Sequence, residues 1–166
     1  MRVDSKMLVA GIAVLLAAPA AFAEVSVQVT TNRVVTGVDG KQTLQDGSHA
    51  RPGDVLEYHA VYRNNGAKPA RDLLATLPVP ANGLEYLPKT AFPDGVQASL
   101  DGRTFTTPPL MRTVKLPDGK EVLREVPVSE YRFLRWKLGE LPPGKSVTVG
   151  ARMRVLSEPV AEASAK

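Results

Sequence analysis

The sequence predicts an all-β sandwich of about seven to nine short antiparallel strands. Three observations carry that expectation. Apolar residues alternate with period two through most of the chain, turn dipeptides interrupt the alternation at short intervals, and no long stretch shows the 3.6-residue period of an amphipathic helix. The clearest strand is Val55–Asn64, where Leu56, Tyr58, Ala60 and Tyr62 share one face and Glu57, His59, Val61 and Arg63 the other. Val147–Val155 is equally regular, with Val147, Val149, Ala151, Met153 and Val155 alternating with Thr148, Gly150, Arg152 and Arg154. Shorter apolar faces come from Val25, Val27 and Val29, from Leu73, Ala75 and Leu77, and from Leu134, Trp136 and Leu138.

Five Asp-Gly pairs and two Asn-Gly pairs punctuate these runs. Such dipeptides tolerate the positive φ angles that tight turns require. Asp101-Gly102 and Asp118-Gly119 have alternating apolar residues on both sides and read as hairpins. Prolines fall mostly between the strands, at Pro78, Pro80, Pro88, Pro108-Pro109 and Pro142-Pro143. That placement suits a sheet whose central strands cannot lose a ladder donor. Trp136, the only tryptophan, is expected in the centre of the sandwich with Leu134 and Leu138.

The first segment has a separate role. Arg2 and Lys6 give a basic start around Asp4, Met7–Ala18 is apolar and uncharged, and Ala21-Phe22-Ala23 supplies small residues at −3 and −1 of a cleavage site. Residues 1–23 therefore read as a signal peptide cut after Ala23. The apolar stretch to Ala23 contains Pro19 and falls short of the roughly 20 residues that span a bilayer. No integral membrane segment is expected after cleavage, and the product is expected in the periplasm or secreted. Residues 24–156 form the expected sandwich domain, and residues 157–166, small and polar, a flexible tail.

Two blocks, in order, resemble a known family. The first is Pro52-Gly53-Asp54-Val55 followed by Tyr58, Tyr62, Asn64, Gly66, Ala70, Pro80 and Gly83-Leu84. The second runs from Arg135-Trp136 through Leu141-Pro142-Pro143-Gly144 into the last strand. Together they resemble the bacterial conserved-repeat domain, catalogued as domain of unknown function eleven, over about Arg51–Val155. The resemblance implies an immunoglobulin-like β-sandwich of envelope or secreted proteins, usually repeated in tandem. It supplies no catalytic residues. This chain carries a single copy, and has Ala75-Thr76-Leu77-Pro78 where the family often has Asp before Leu-Pro.

Composition removes several chemistries. The 166 residues include no Cys and only two His, His49 and His59. A disulfide framework, a thiolate metal site and a cysteine nucleophile are therefore excluded. No Gly-x-Ser-x-Gly elbow, phosphate-binding glycine loop or calcium-loop spacing occurs. The carboxylates Glu57, Asp72 and Glu130 carry no pattern that selects them as a catalytic pair. No cofactor, metal or catalytic residue is expected, and a hydrolase with an unrecognised site is the remote alternative.

Charge is the one lead toward function. Lys and Arg number 21 against 17 Asp and Glu. Residues 24–110 hold 8 basic and 9 acidic side chains, whereas residues 111–156 hold 10 and 5. Alternation sends Phe133, Arg135 and Lys137 outward if Leu134, Trp136 and Leu138 point in, and it puts Arg152 and Arg154 on the outer face of the last strand. If those two strands pair, the five residues form one basic face. The expected function is a non-enzymatic structural or binding module of the bacterial envelope, contacting an envelope protein or anionic glycan through that face. Nucleic acid is not an expected partner. The alternative is an accessory or chaperone-like subunit that pairs by β-strand addition. The segment Leu110–Val128, with its own hairpin, reads as two ordinary extra strands.

Overall fold

The computed structural model describes residues 24–81 and 83–157. The predicted leader, residues 1–23, and all of the predicted tail except Ser157 lie outside the described residues. The described chain is all-β, with every paired strand antiparallel. Eight strands build two facing sheets and two more form a separate ribbon. The first sheet has the order β2 (Gln42–Asp46), β1 (Val25–Thr36), β3 (Val55–Asn64), β10 (Ser146–Val155), β5 (Leu84–Tyr86). The second has the order β4 (Ala70–Pro78), β9 (Phe133–Leu141), β6 (Gln97–Ser99). The ribbon is β7 (Met111–Lys115) with β8 (Glu121–Glu125). No helix among the described residues is long and apolar enough to cross a membrane.

The alternation read from the sequence becomes the core. Leu56, Ala60 and Tyr62 of β3 and Val149, Ala151 and Met153 of β10 are buried from one side. Ala75 and Leu77 of β4 and Leu134 and Trp136 of β9 are buried from the other. The indole of Trp136 donates to the Pro93 carbonyl at 2.9 Å, so the largest core side chain leaves no polar atom unpaired. β1 departs from this pattern: Val27 and Val29 lie opposite the core residues Tyr62 and Ala60 yet are 50% and 55% exposed. β4 packs over β3 and β9 over β10, and the second sheet does not extend across β1.

The chain passes between the sheets twice at the same end. β3 leads to β4 through Asn65–Pro69, and β9 leads to β10 through Pro142-Pro143-Gly144-Lys145. Asn64, with no exposed surface, holds both crossings. Its Nδ2 donates to the Lys68 carbonyl at 2.8 Å and to the Leu141 carbonyl at 2.9 Å. Its Oδ1 accepts from the Gly66 N–H at 3.0 Å. Its backbone N–H donates to Lys145, and its carbonyl accepts from Gly144. The neighbouring Asn65 donates from its backbone to Glu24 and from its side chain to Ser26, which ties the start of β1 to the same end.

Local turns follow the dipeptide chemistry. In Gly37–Lys41 and Leu116–Lys120 the Asp-Gly pair ends a three-residue loop, with Gly40 at φ 77° and Gly119 at φ 84°. Asp118-Gly119 is therefore the hairpin expected. Asp101-Gly102 sits in a wider loop, 99–105, that returns to β6 through a single bridge between Ala98 and Thr106. The β7–β8 hairpin does not add to either sheet, contrary to the expectation of two ordinary strands. Its cross-strand pair Arg112↔Arg124 sets like charges opposite each other. The Glu130 carboxylate relieves this by accepting two bonds from Arg112, each 2.7 Å.

Replacing Asn64 with Ala removes three side-chain hydrogen bonds in a buried site and strands two carbonyls and an N–H. Asn64→Ala is expected to lower the unfolding free energy by about 3 kcal/mol, read from urea denaturation midpoints.

Candidate functional site

The outward face of β9 carries Phe133, Arg135 and Lys137 on alternate positions, as the alternation requires. Arg135 lies with its guanidinium 3.5 Å above the ring centroid of Phe105 and donates from Nε to Thr76 Oγ1 at 3.2 Å. Thr76 is the cross-strand partner of Arg135 on β4. A stacked guanidinium with one side-chain bond is held in place, and among the described residues the rest of its donor fork has no hydrogen-bond partner. Lys137 is exposed and lies opposite Leu74, also exposed. Phe133 is half-buried, with its ring against Gly102, where an added Cβ would stand 3.0 Å from the ring. Among the described residues, neither Arg135 nor Lys137 has a carboxylate within ion-pair distance.

Arg152 and Arg154 lie elsewhere. β9 pairs with β4 and β6, whereas β10 pairs with β3 and β5. The condition for one five-residue basic face, pairing of the last two strands, is not met. The physical reason is apolar. The inward faces of β9 and β10 pack against each other across the core, so their outward faces point in opposite directions. Pro142-Pro143-Gly144 turns the chain between layers instead of closing a hairpin within one. Arg154 is exposed on the first sheet, opposite Val55 and Glu85.

Arg152 is held in a cluster that the sequence did not single out. Its Nε donates to Glu57 Oε2 at 2.6 Å, and a terminal nitrogen donates to Gln42 Oε1 at 2.9 Å. His59 Nε2 lies 2.7 Å from the other Glu57 oxygen. The His59 ring meets Phe92 edge-on at 5.2 Å, and Phe92 bridges Gly150 of β10 through paired backbone bonds. The signal in the sequence was the Glu57-x-His59 spacing on one strand face and Arg152 on another. Only the register Glu57↔Arg152 joins them. Burial raises the Glu57 pKa, but the bonds from His59 and Arg152, with the Arg152 charge, outweigh it and hold the carboxyl below its ordinary value.

A cleft of about 550 Å³ opens between the loop after β5 and the base of the ribbon. Tyr86 and Tyr131, stacked at 6.3 Å, are buried beneath it, and Pro88, Val96, Pro108 and Pro109 line it. The exposed charges Lys89, Asp94 and Glu125 border it. The Tyr131 hydroxyl accepts from the Leu110 N–H at 2.8 Å, which fixes the base of the ribbon. No group of three or more His, Asp or Glu side chains among the described residues is placed to hold a metal ion.

The depressed Glu57 gives a pH dependence with a definite sign. A carboxyl whose folded pKa lies below its unfolded one contributes stability that is present above the unfolded value. That stability is lost as pH falls through the folded value. The unfolding free energy of the native chain is expected to fall through this acid window more steeply than that of Glu57→Gln, in denaturation midpoints measured at a series of pH values. No family model and no curated protein matches this chain.

Proposed function

We propose that this protein is an exported, non-enzymatic binding module of the bacterial cell envelope. It docks an acidic partner, an anionic glycan or an acidic protein face, on the outer surface of its three-stranded sheet. The observation that carries this reading is the β9 strip. Arg135, seated on Phe105 and bonded to Thr76, lies beside Lys137 and Phe133 with no carboxylate partner among the described residues. Arg152 is the contrasting case, since Glu57 neutralises it within the protein. A fixed guanidinium with open donors recognises carboxylate or phosphate with little further ordering. The resemblance of Arg51–Val155 to the conserved-repeat domain, and the leader-like residues 1–23, support the envelope setting.

A second reading, an accessory subunit that pairs by strand addition, is favoured by one separate observation. Among the described residues, more than half of the outer edge of β1 carries no strand.

Binding to an immobilised anionic envelope polysaccharide, and separately to acidic envelope proteins, is expected to weaken as salt rises. Arg135→Glu combined with Lys137→Glu is expected to abolish it. Arg154→Glu, in the opposite sheet, is expected to leave it unchanged. Equal retention of the double variant and the native chain would remove the β9 strip from consideration.

A further inference from the structure

Most sheet edges in this protein are short or guarded. β5 and β6 have three residues each and β2 has five. β4 carries exposed Arg71 and Asp72, register breaks between Ala70 and Leu74, and Pro78 at its end. These features keep an edge from recruiting another strand. β1 is the exception. It has 12 residues, and β2 covers only Asn32–Thr36. The remaining stretch, Val25-Ser26-Val27-Gln28-Val29-Thr30-Thr31, has no charge and no proline, and its pairing with β3 is unbroken.

The hydrogen-bond pattern shows which groups face the open side. The Glu24 carbonyl accepts from the Asn65 N–H, so Glu24, Ser26, Gln28 and Thr30 direct their backbone groups at β3. Val25, Val27 and Val29 direct theirs away from it. The far end of the strand agrees, because the Gly37 N–H donates to Lys41, its partner beyond β2. Among the described residues nothing pairs with the outward groups of these three valines. The side chains of Val27 and Val29 are half exposed along the same line.

We propose that this edge pairs with the same edge of a second copy of the chain, as an antiparallel β1–β1 contact centred on Val27. A strand that meets its own copy about a two-fold axis must match its outward groups to the copy's outward groups. Centring on Val27 does so: Val27 faces Val27 of the second copy, Val25 faces Val29, and Ser26 faces Gln28. About six main-chain hydrogen bonds form. Three valine pairs stack on the inner face, and no like charges meet. Centring on Gln28 instead would bring Glu24 of the second copy opposite Asn32, a place Asp46 of β2 already holds. Centring on Val27 brings Glu24 opposite Thr30, just short of β2. A chain cut after Ala23 fits this register, whereas an uncut one runs into β2. The contact joins the two five-stranded sheets into one and leaves both β9 strips open.

The test is sedimentation equilibrium on the chain beginning at Glu24, at low and at high salt, with amide exchange on the same samples. The expected mass is twice that of one chain at both salt concentrations, with the Val25, Val27 and Val29 amides protected. Val27→Pro removes an N–H that faces the edge and spares the ladder to β3; it is expected to halve the mass. Val27→Lys with Val29→Lys alters two half-exposed side chains, keeps every backbone group and is expected to halve the mass as well, with an unchanged circular dichroism spectrum. A monomeric native chain overturns the proposal, and one whose valine amides are protected assigns the edge to another segment of the same chain. Persistence of the dimer in the lysine variant also overturns it. Loss of salt-sensitive anion binding in the β9 double variant, with the dimer intact, would separate this contact from the proposed docking face.

Discussion

The amide of Asn64 is the point from which the two-layer arrangement is held. Two flat sheets of alternating residues pack in register only if the chain crosses between them at defined places. Here two of the four crossings, β3 to β4 and β9 to β10, occur side by side, and one buried side chain bonds to each. The same residue closes its backbone onto the β9–β10 turn, and its neighbour Asn65 fixes the first residues of β1. A polar group at this depth is tolerated because every donor and acceptor it has is paired. A hydrophobic residue of similar size would fill the space, but it would leave the turning backbone without partners. The crossing thus depends on a specific hydrogen-bond geometry, whereas the core around Trp136 depends on volume and apolarity.

That arrangement sorts the charges. The basic excess of residues 111–156 is divided among three surfaces. Arg112 and Arg124 are on the ribbon, Arg135 and Lys137 on the outside of one sheet, and Arg152 and Arg154 on the outside of the other. Within each surface a local partner decides what the charge can do. Glu130 ties Arg112 down, Glu57 ties Arg152 down, and Phe105 holds Arg135 in place without neutralising it. Net charge along the chain thus overstates the cationic surface, because strands adjacent in sequence face opposite ways.

The unequal sizes of the two sheets have a consequence of their own. Five strands face three, so β1 extends past the layer that covers β3 and β10. Its inward valines, chosen by the same period that builds the core, remain half exposed. Among the described residues, the apolar side and the unpaired backbone edge coincide at Val27 and Val29.

Much of the fold was legible in the sequence. Period-two alternation identified the faces of β3, β9 and β10, the Asp-Gly pairs marked turns, and Trp136 was placed in the core, because each depends on a residue and its near neighbours. Alternation also put Phe133, Arg135 and Lys137 on one outer face. What it left open was which strands pair. A turn such as Pro142-Pro143-Gly144 serves a hairpin or a crossing equally well, and the choice rests on contacts between Trp136 or Leu134 and residues of other strands. The same uncertainty hid the Glu57–His59–Arg152 cluster, whose members are joined by register across 95 residues, and the exposure of β1, which depends on how far the second sheet reaches. Local chemistry, written in the sequence by itself, determined strands, turns and faces; the long-range packing of apolar faces decided neighbours, and with them which charges and edges stay available.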